Sequence, residues 1–414
     1  MKSRSLSRPI PRLALCFSAG LCVVFTASAN AKKSPQQPKE AMTVAEAYNQ
    51  TGLELYPRIA ESGEDFVFSP YSIGVAMAMT RVGASGDTAE EMDEVLNFPG
   101  GVDPVNAGNQ ALASRVEALN GQEGVVLSVA NALALNQHGD LIHETYRELL
   151  AGVYGAELFA APTPGPINAW VADKTNNMIK KLVTKLPPNA VCTILNAVYF
   201  NGTWAKVFEE DRTQAKPFHL AEGKTVNVPT MRQTDTFQLA KLDAVDVLVL
   251  PYKGHDLRLM VVVPHDIEGL QAYEKTLDIT EYKRIAKAAQ TAPGKRLNLS
   301  LPTFKIEAKA SLKKSFGALG MESAFSAENA DFGAMLGKET APGKIWISDI
   351  LHKAVIDVTE KGTEAAAATA VMMATTAARI DKPIEFTVDR PFLYLLVDRR
   401  TDAILFMGRV CDPR

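Results

Sequence analysis

A charge-free run of small side chains, residues 365–378 (AAAATAVMMATTAA), lies between two stretches that read as strands, HKAVIDV and IEFTVDRPFLYLLV. Helix propensity alone would make such an alanine-rich run helical. Its neighbours argue otherwise, because a soluble chain seldom leaves so small and uncharged a segment unpaired between two strands without a use for it. Read as a strand, it places Thr363, Ala365, Ala367, Thr369, Val371 and Met373 on one face and Glu364, Ala366, Ala368, Ala370, Met372 and Ala374 on the other. The first face is small and uncharged enough to slide into a sheet.

The rest of the chain is that of a globular protein with a large core. Of 414 residues, 47% are hydrophobic and 22% charged, which excludes a disordered chain. No Pro/Gly/Ser-rich linker interrupts the interior, so one large domain or two merged ones is expected. A formal net charge of -3 and the lack of a long Lys/Arg run argue against a protein built around nucleic-acid phosphate or an anionic membrane.

The amino terminus reads as a segment to be removed. Lys2, Arg4, Arg8 and Arg12 precede an apolar run over 13–26 and the small residues Ala27, Ser28, Ala29, Asn30 and Ala31. This is a secretory signal pattern, and its apolar run is shorter than the roughly 20 residues that cross a bilayer. Cleavage after Ala29 or Ala31 removes four basic and no acidic residues, leaving 40 basic against 47 acidic, near -7. The expected organisation is a signal peptide over 1–31, a flexible leader over 32–41 and one domain over 42–414. Neither Cys16 nor Cys22 follows a small residue as lipid attachment would require. Only Cys192 and Cys411 then remain, too few for a disulfide scaffold, and sequence leaves their pairing open.

From Met42 onward helices and strands mix without regular alternation, which gives an α+β class. Ser69-Pro70 ahead of Ile73, Val75, Ala76, Met77 and Met79 reads as an N-cap with proline in the first turn of a buried helix. A shorter helix is expected over 88–96. Ile167, Trp170, Val171, Thr175 and Ile179 recur at helical spacing, whereas TILNAVYF, VDVLVLPY, LRLMVVVP and FLYLLVD have the length and composition of buried strands.

Nothing in the chain announces an enzyme. There is no G-x-S-x-G, H-E-x-x-H, Walker or G-x-G-x-x-G motif, and Gly83-Ala84-Ser85-Gly86 lacks the spacing of a nucleophile elbow. The six histidines show no metal-ligand spacing. No cofactor or metal is expected. Sequons at Asn49, Asn201 and Asn298 matter only in a host that glycosylates.

Six motifs in order give the chain its resemblance: FSPYSIGVAMAM (68–79), INAWVADKT (167–175), NAVYFNGTWAKVF (196–208), LPTFKIE (301–307), ISDILHKAVIDVTEKGTEAAA (347–367) and FTVDRPFLYLL (386–396). Together they resemble the serpins, a family of serine protease inhibitors, over essentially all of 42–414. The resemblance implies three β-sheets, about eight or nine helices and an exposed reactive loop near 360–382 that adds to a sheet as a new strand after cleavage. It further implies a suicide mechanism in which a serine protease is trapped as a covalent acyl-enzyme. The expected protein is a monomer without nucleic-acid or membrane partner, exported to a periplasm or secreted.

The resemblance also assigns residues. Glu360, Gly362, Thr363, Glu364, Ala365, Ala366, Ala367 and Ala368 form the loop hinge, and the small side chains of Thr363 and of Ala365 to Ala368 among them favour an active inhibitor over a non-inhibitory relative. Ser69, Ser72, Asn196 and His352 correspond to a polar shutter beneath the sheet, and Trp204 to the region where the loop enters. Each of these also has an ordinary role open to it, as cap, satisfied core polar group or packing residue. Counting seventeen positions from Glu360 puts the attacked bond at Thr376-Ala377, which suits an elastase-like or subtilisin-like enzyme. Arg379-Ile380, for a trypsin-like enzyme, is the alternative; Ala377, Ala378 and the Met372-Met373 pair are lesser ones.

Overall fold

A computed structural model of the chain describes residues 39–61, 63–98, 100–137, 141–175, 177, 179–187, 189–336, 345–363 and 382–414. Ten α-helices occur among them: α1 (Lys39–Ile59), α2 (Pro70–Arg81), α3 (Gly86–Val95), α4 (Val102–Asn120), α5 (Glu144–Tyr154), α6 (Pro164–Lys174), α7 (Gly269–Glu274), α8 (Ile279–Thr291), α9 (Lys313–Ala318) and α10 (Gly333–Leu336). That is one or two more than the expected eight or nine, and three of the ten are short, with six residues or fewer.

The smaller strand network contains β2 (Val125–Leu135), β3 (Glu157–Ala160), β4 (Cys192–Thr203), β10 (Phe304–Ser311), β11 (Ile347–Val358) and β12 (Gly362–Thr363), in the order β10-β11-β12-β4-β2-β3. The larger contains β1 (Phe66–Phe68), β5 (Gln214–His219), β6 (Thr225–Lys241), β7 (Val245–Pro251), β8 (Leu257–Pro264), β9 (Gly294–Pro302), β13 (Ile384–Thr387), β14 (Phe392–Asp398) and β15 (Ile404–Val410). The long β6 changes partner along its length, from β5 over 225–230 to β9 over 230–238 and then to β7 over 238–241. The larger network is therefore two sheets sharing one strand, and the α+β class with three sheets holds.

The buried strands follow the apolar runs. VDVLVLPY, LRLMVVVP and FLYLLVD become β7, β8 and β14, and all eight residues of β8 are buried. Burial on both faces is what an unbroken apolar run provides. Helix α2 starts as its sequence predicts: Ser69 caps it by accepting the Ser72 N–H at 3.0 Å, Pro70 opens it, and all of it except Arg81 is buried. Helix α6 stops earlier than its apolar spacing suggests. The Thr175 hydroxyl donates to the Val171 carbonyl at 2.7 Å and accepts the Ile179 N–H at 3.0 Å, so a side chain takes over the next helical bond.

The two faces of the six-stranded sheet meet different layers. Ile194, Val198 and Phe200 of β4, with Ile350, Ala354 and Ile356 of β11, join the main core. Leu195, Ala197, Leu351 and Val355 point the other way and pack with Ile167, Trp170 and Val171 of α6 in a separate apolar cluster. Among the strands of this sheet helix α6 lies nearest β2, whose Ser128 hydroxyl donates to the Lys174 carbonyl at 3.2 Å.

The two cysteines, left open by sequence, are free thiols, and burial pushes both up to about 12. Of the sequons, the one at Asn49 is closed to modification. Its side chain is buried, donating to the Asp402 carbonyl at 2.8 Å and accepting the Ile404 N–H at 2.8 Å.

Candidate functional site

Strands β4 and β11 pair in parallel from Cys192 and Ile347 to Val198 and Ala354, and there the pairing ends. Beyond it the short β12 occupies the space between them. Thr363 pairs antiparallel with Val358 of β11 and with Gly202 of β4, and Gly362 with Thr203. The joint is consequently closed over one part and wedged apart at its end by the first residues of the predicted hinge.

A buried polar network crosses the closed part. Register puts Asn131 of β2 beside Asn196 of β4, and Asn196 beside His352 of β11. The Asn196 amide donates to Asn131 Oδ1 at 2.5 Å, to the Ser72 carbonyl at 2.8 Å and to Ser72 Oγ at 2.5 Å. His352 Nε2 accepts the Ser69 N–H at 3.2 Å, which leaves the ring proton on Nδ1 for Asn196 Oδ1 at 2.5 Å. Every member is at most 3% exposed. Burial holds the imidazole neutral by pushing its pKa down from 6.5 to about 3. A neutral, saturated network of this kind ties three strands to the start of α2 without burying a charge.

The wedged end is built from an aromatic stack and a tight turn. Trp204 lies against Tyr252 with ring centroids 4.5 Å apart, and its indole N–H donates to the Thr359 carbonyl at 2.9 Å. Backbone bonds from Trp204 to Lys361 (3.0 Å) and from Phe208 to Glu360 (2.8 Å) hold the turn, while the Thr359 N–H donates to the Gly362 carbonyl at 2.8 Å. Gly362 has φ 151°, and a Cβ there would sit 1.9 Å from the Gly202 carbonyl oxygen, so only glycine fits. Thr363 is fully buried, with its hydroxyl 2.6 Å from that of Tyr252. The Glu360 carboxylate accepts the Thr213 hydroxyl at 2.6 Å, and Lys361 pairs with Glu210 at 3.0 Å.

Ser69, Ser72, Asn196 and His352 are therefore brought into one network, and Trp204, Glu360, Gly362 and Thr363 into the other end of the same joint. Glu364, Ala365, Ala366, Ala367, Ala368, Thr376, Ala377, Arg379 and Ile380 lie outside the described residues. Sequence reasoning missed Asn131, Tyr252 and Thr213. Asn131 alone left a trace, as a polar residue interrupting VANALAL, but its partner is a matter of strand register. Among the described residues no group of three or more His, Cys, Asp or Glu side chains is arranged to hold a metal.

Known proteins resemble the chain over nearly its whole length. A family model described as serpin (serine protease inhibitor) matches residues 46–413. An uncharacterised serpin-like protein of Thermococcus kodakarensis is 35% identical over 379 residues, 90% of this chain and 86% of the relative. Among solved structures, the thermophilic serpin tengpin in its native state superposes with a TM-score of 0.79 at 25% identity, covering 90% of this chain and 94% of that one. Human thyroxine-binding globulin gives 0.78 at 25% identity, with 90% and 99% covered.

Proposed function

The chain belongs to the serpin family, and from that premise we propose that it is an inhibitor that traps a serine protease as a covalent acyl-enzyme. The observation that carries this reading is the wedge, since Gly362 and Thr363 already form a strand antiparallel to both β4 and β11 at the open end of their joint. Continuing that register moves two residues back on each wall for every two residues of loop. Ala365 then falls between Phe200 and Ile356, Ala367 between Val198 and Ala354, and Thr369 between Asn196 and His352. All share the face of Thr363, which looks into the core. Small side chains enter such a space, whereas a charge would be buried unpaired.

In the proposed reaction the protease serine attacks the Thr376 carbonyl. An ester forms, the bond to Ala377 breaks and the new amine leaves. The freed segment then extends β12 between β4 and β11, exchanging their mutual hydrogen bonds for bonds to itself on both sides. About ten added residues at about 1 kcal/mol each give on the order of 10 kcal/mol, enough to drag the attached protease and spoil its deacylation site. The uncut form is metastable and persists behind a kinetic barrier. Asn196 and His352 form part of that barrier, because their hydrogen bond spans the joint that must open. The small residues flanking Thr376 suit an elastase-like or subtilisin-like enzyme with a shallow primary pocket. The reading includes removal of residues 1–31, export to a periplasm or beyond, and action as a monomer.

The test is to incubate the mature chain separately with pancreatic elastase, subtilisin and trypsin, run denaturing gels, and weigh the released carboxyl-terminal fragment. A covalent band with elastase or subtilisin and a fragment beginning at Ala377 is expected. Trapping of trypsin with a fragment beginning at Ile380 moves the bond to Arg379. Cleavage by all three with no covalent band overturns the inhibitor reading.

A further inference from the structure

A cavity of about 300 Å³ lies outside the β4/β11 joint, lined by Asp211, Arg212, Gln214, Arg232, Gln233, Thr234 and Asn298. Its central feature is Arg232 on β6. The Arg232 Nε is buried with no hydrogen-bond partner, and among the described residues no carboxylate pairs with its guanidinium. Nearby acids are engaged elsewhere: Asp235 with Lys206 at 2.5 Å, Glu209 with Arg212 at 2.5 Å, and Glu385 with the Asn298 amide at 2.8 Å. Asp211 also lines the cavity, and among the described residues it forms no ion pair with Arg232, whereas Arg212 has Glu209. A further cation stands close by, as Lys216 on β5 bonds Ser300 and its pKa is lowered, first by burial and then by the Arg232 charge, with the Glu385 carboxylate acting in the opposite direction. A half-buried guanidinium kept beside a second cation and without a counter-ion is costly unless an anion completes it.

Position identifies who brings the anion. On one side of the cavity Arg212 adjoins Thr213, which holds Glu360 where the chain leaves for the loop. On the other, Asn298 of β9 holds Glu385 of β13, where the chain comes back. The cavity thus sits between the two places where the described chain leaves for the loop and returns from it.

We propose that Arg232, with Arg212, receives an acidic side chain of the docked protease, a contact that adds to recognition of the loop sequence and selects among proteases with similar primary pockets. This rests on the inhibitor reading for its partner. Complementary charge at such a rim contact acts mainly on the rate and salt dependence of encounter. The test uses subtilisin, elastase and trypsin with the nucleophilic serine replaced by alanine, which dock but cannot be trapped, so docking is read whether or not the active enzymes form a covalent band. Affinity is measured by surface plasmon resonance for the unmodified chain and for Arg232→Gln, Arg232→Lys and Arg212→Gln. For at least one protease, Arg232→Gln is expected to weaken docking about tenfold at 50 mM salt and much less at 300 mM, with Arg232→Lys recovering part of the loss. Thermal unfolding checks that the variants fold, and Arg212→Gln, whose side chain is more exposed, serves if Arg232→Gln does not. Affinities within twofold of the unmodified chain for all three proteases at 50 mM salt overturn the proposal.

Discussion

Where β4 and β11 run beside each other, their joint is closed by uncharged hydrogen bonds, with Asn196 and His352 meeting across it beneath α2. A few residues further on, the same two strands are held apart by a two-residue strand, an aromatic stack and a glycine that tolerates no side chain. The closed part resists opening because the Asn196–His352 hydrogen bond is made only while the strands stay together. The wedged part has already been separated, so a strand entering there extends an existing edge and need not nucleate a new gap. On the proposed mechanism one joint separates two properties: the network sets how long the native state lasts, and the wedge sets where a new strand begins.

Thr363→Arg has the largest expected effect on the wedge. It places a charge at a fully buried position whose hydroxyl contacts that of Tyr252. Burying an unpaired guanidinium costs several kcal/mol, so the covalent complex is expected to fall at least about 100-fold while cleavage continues. The ratio of trapped to cleaved product on gels reads this directly, and unchanged trapping would remove the wedge from the mechanism.

Asn196→Ala attacks the other part. It leaves His352 Nδ1–H, Ser72 and Asn131 without their shared partner, and a loss of about 3 kcal/mol in urea unfolding is expected, with native protein converting faster on standing. A loss below about 1 kcal/mol would show that packing, not the network, keeps the joint shut.

The network also predicts a pH dependence. His352 titrates near 6.5 when unfolded but only at about 3 in the fold. As pH falls from 6.5 towards 3, the unfolded chain takes up a proton that the folded chain refuses. Its contribution is therefore fully present above about 6.5 and is lost on acidification at about 1.4 kcal/mol per pH unit. Urea unfolding at pH 5 and 7.5 should differ by about 2 kcal/mol from this residue, and His352→Gln should flatten that part of the profile. Equal slopes for the two proteins would contradict it.

The smallest effect belongs to the outer face of the wedge. Thr213→Val removes a hydroxyl bond to Glu360 at a part-buried site, and about 1 kcal/mol or less is expected in thermal unfolding. If trapping quickens without loss of stability, this bond restrains the hinge and does not merely decorate it.

Much of the molecule is legible in the order of its amino acids. Ser69-Pro70 announces the capped start of α2, and the apolar runs at 245–252, 257–264 and 392–398 announce strands buried on both faces, because burial writes itself into local composition. The end of α6 is not legible in this way, since Thr175 and Ile179 keep helical spacing while a side-chain bond replaces the helical one. Of the candidate site, Asn196, His352, Trp204 and Thr363 are identified through family resemblance, but no local signal says that the first two touch or that Thr363 lies between strands.

The class, the buried segments, the cap of α2 and the small side chains of 365–370 are all carried by a residue and its near neighbours, and so they follow from the sequence alone. Register does not. That β4 runs parallel to β11, that Asn131, Asn196 and His352 align across three strands, that a β-carbon at residue 362 would strike Gly202, and that Arg232 lies between the anchors of the loop with its Nε unpartnered among the described residues are all set by tertiary packing. These arrangements join residues up to 283 positions apart, as between Ser69 and His352. Contacts of that span arise from packing whole sheets together, so no window of local sequence contains them.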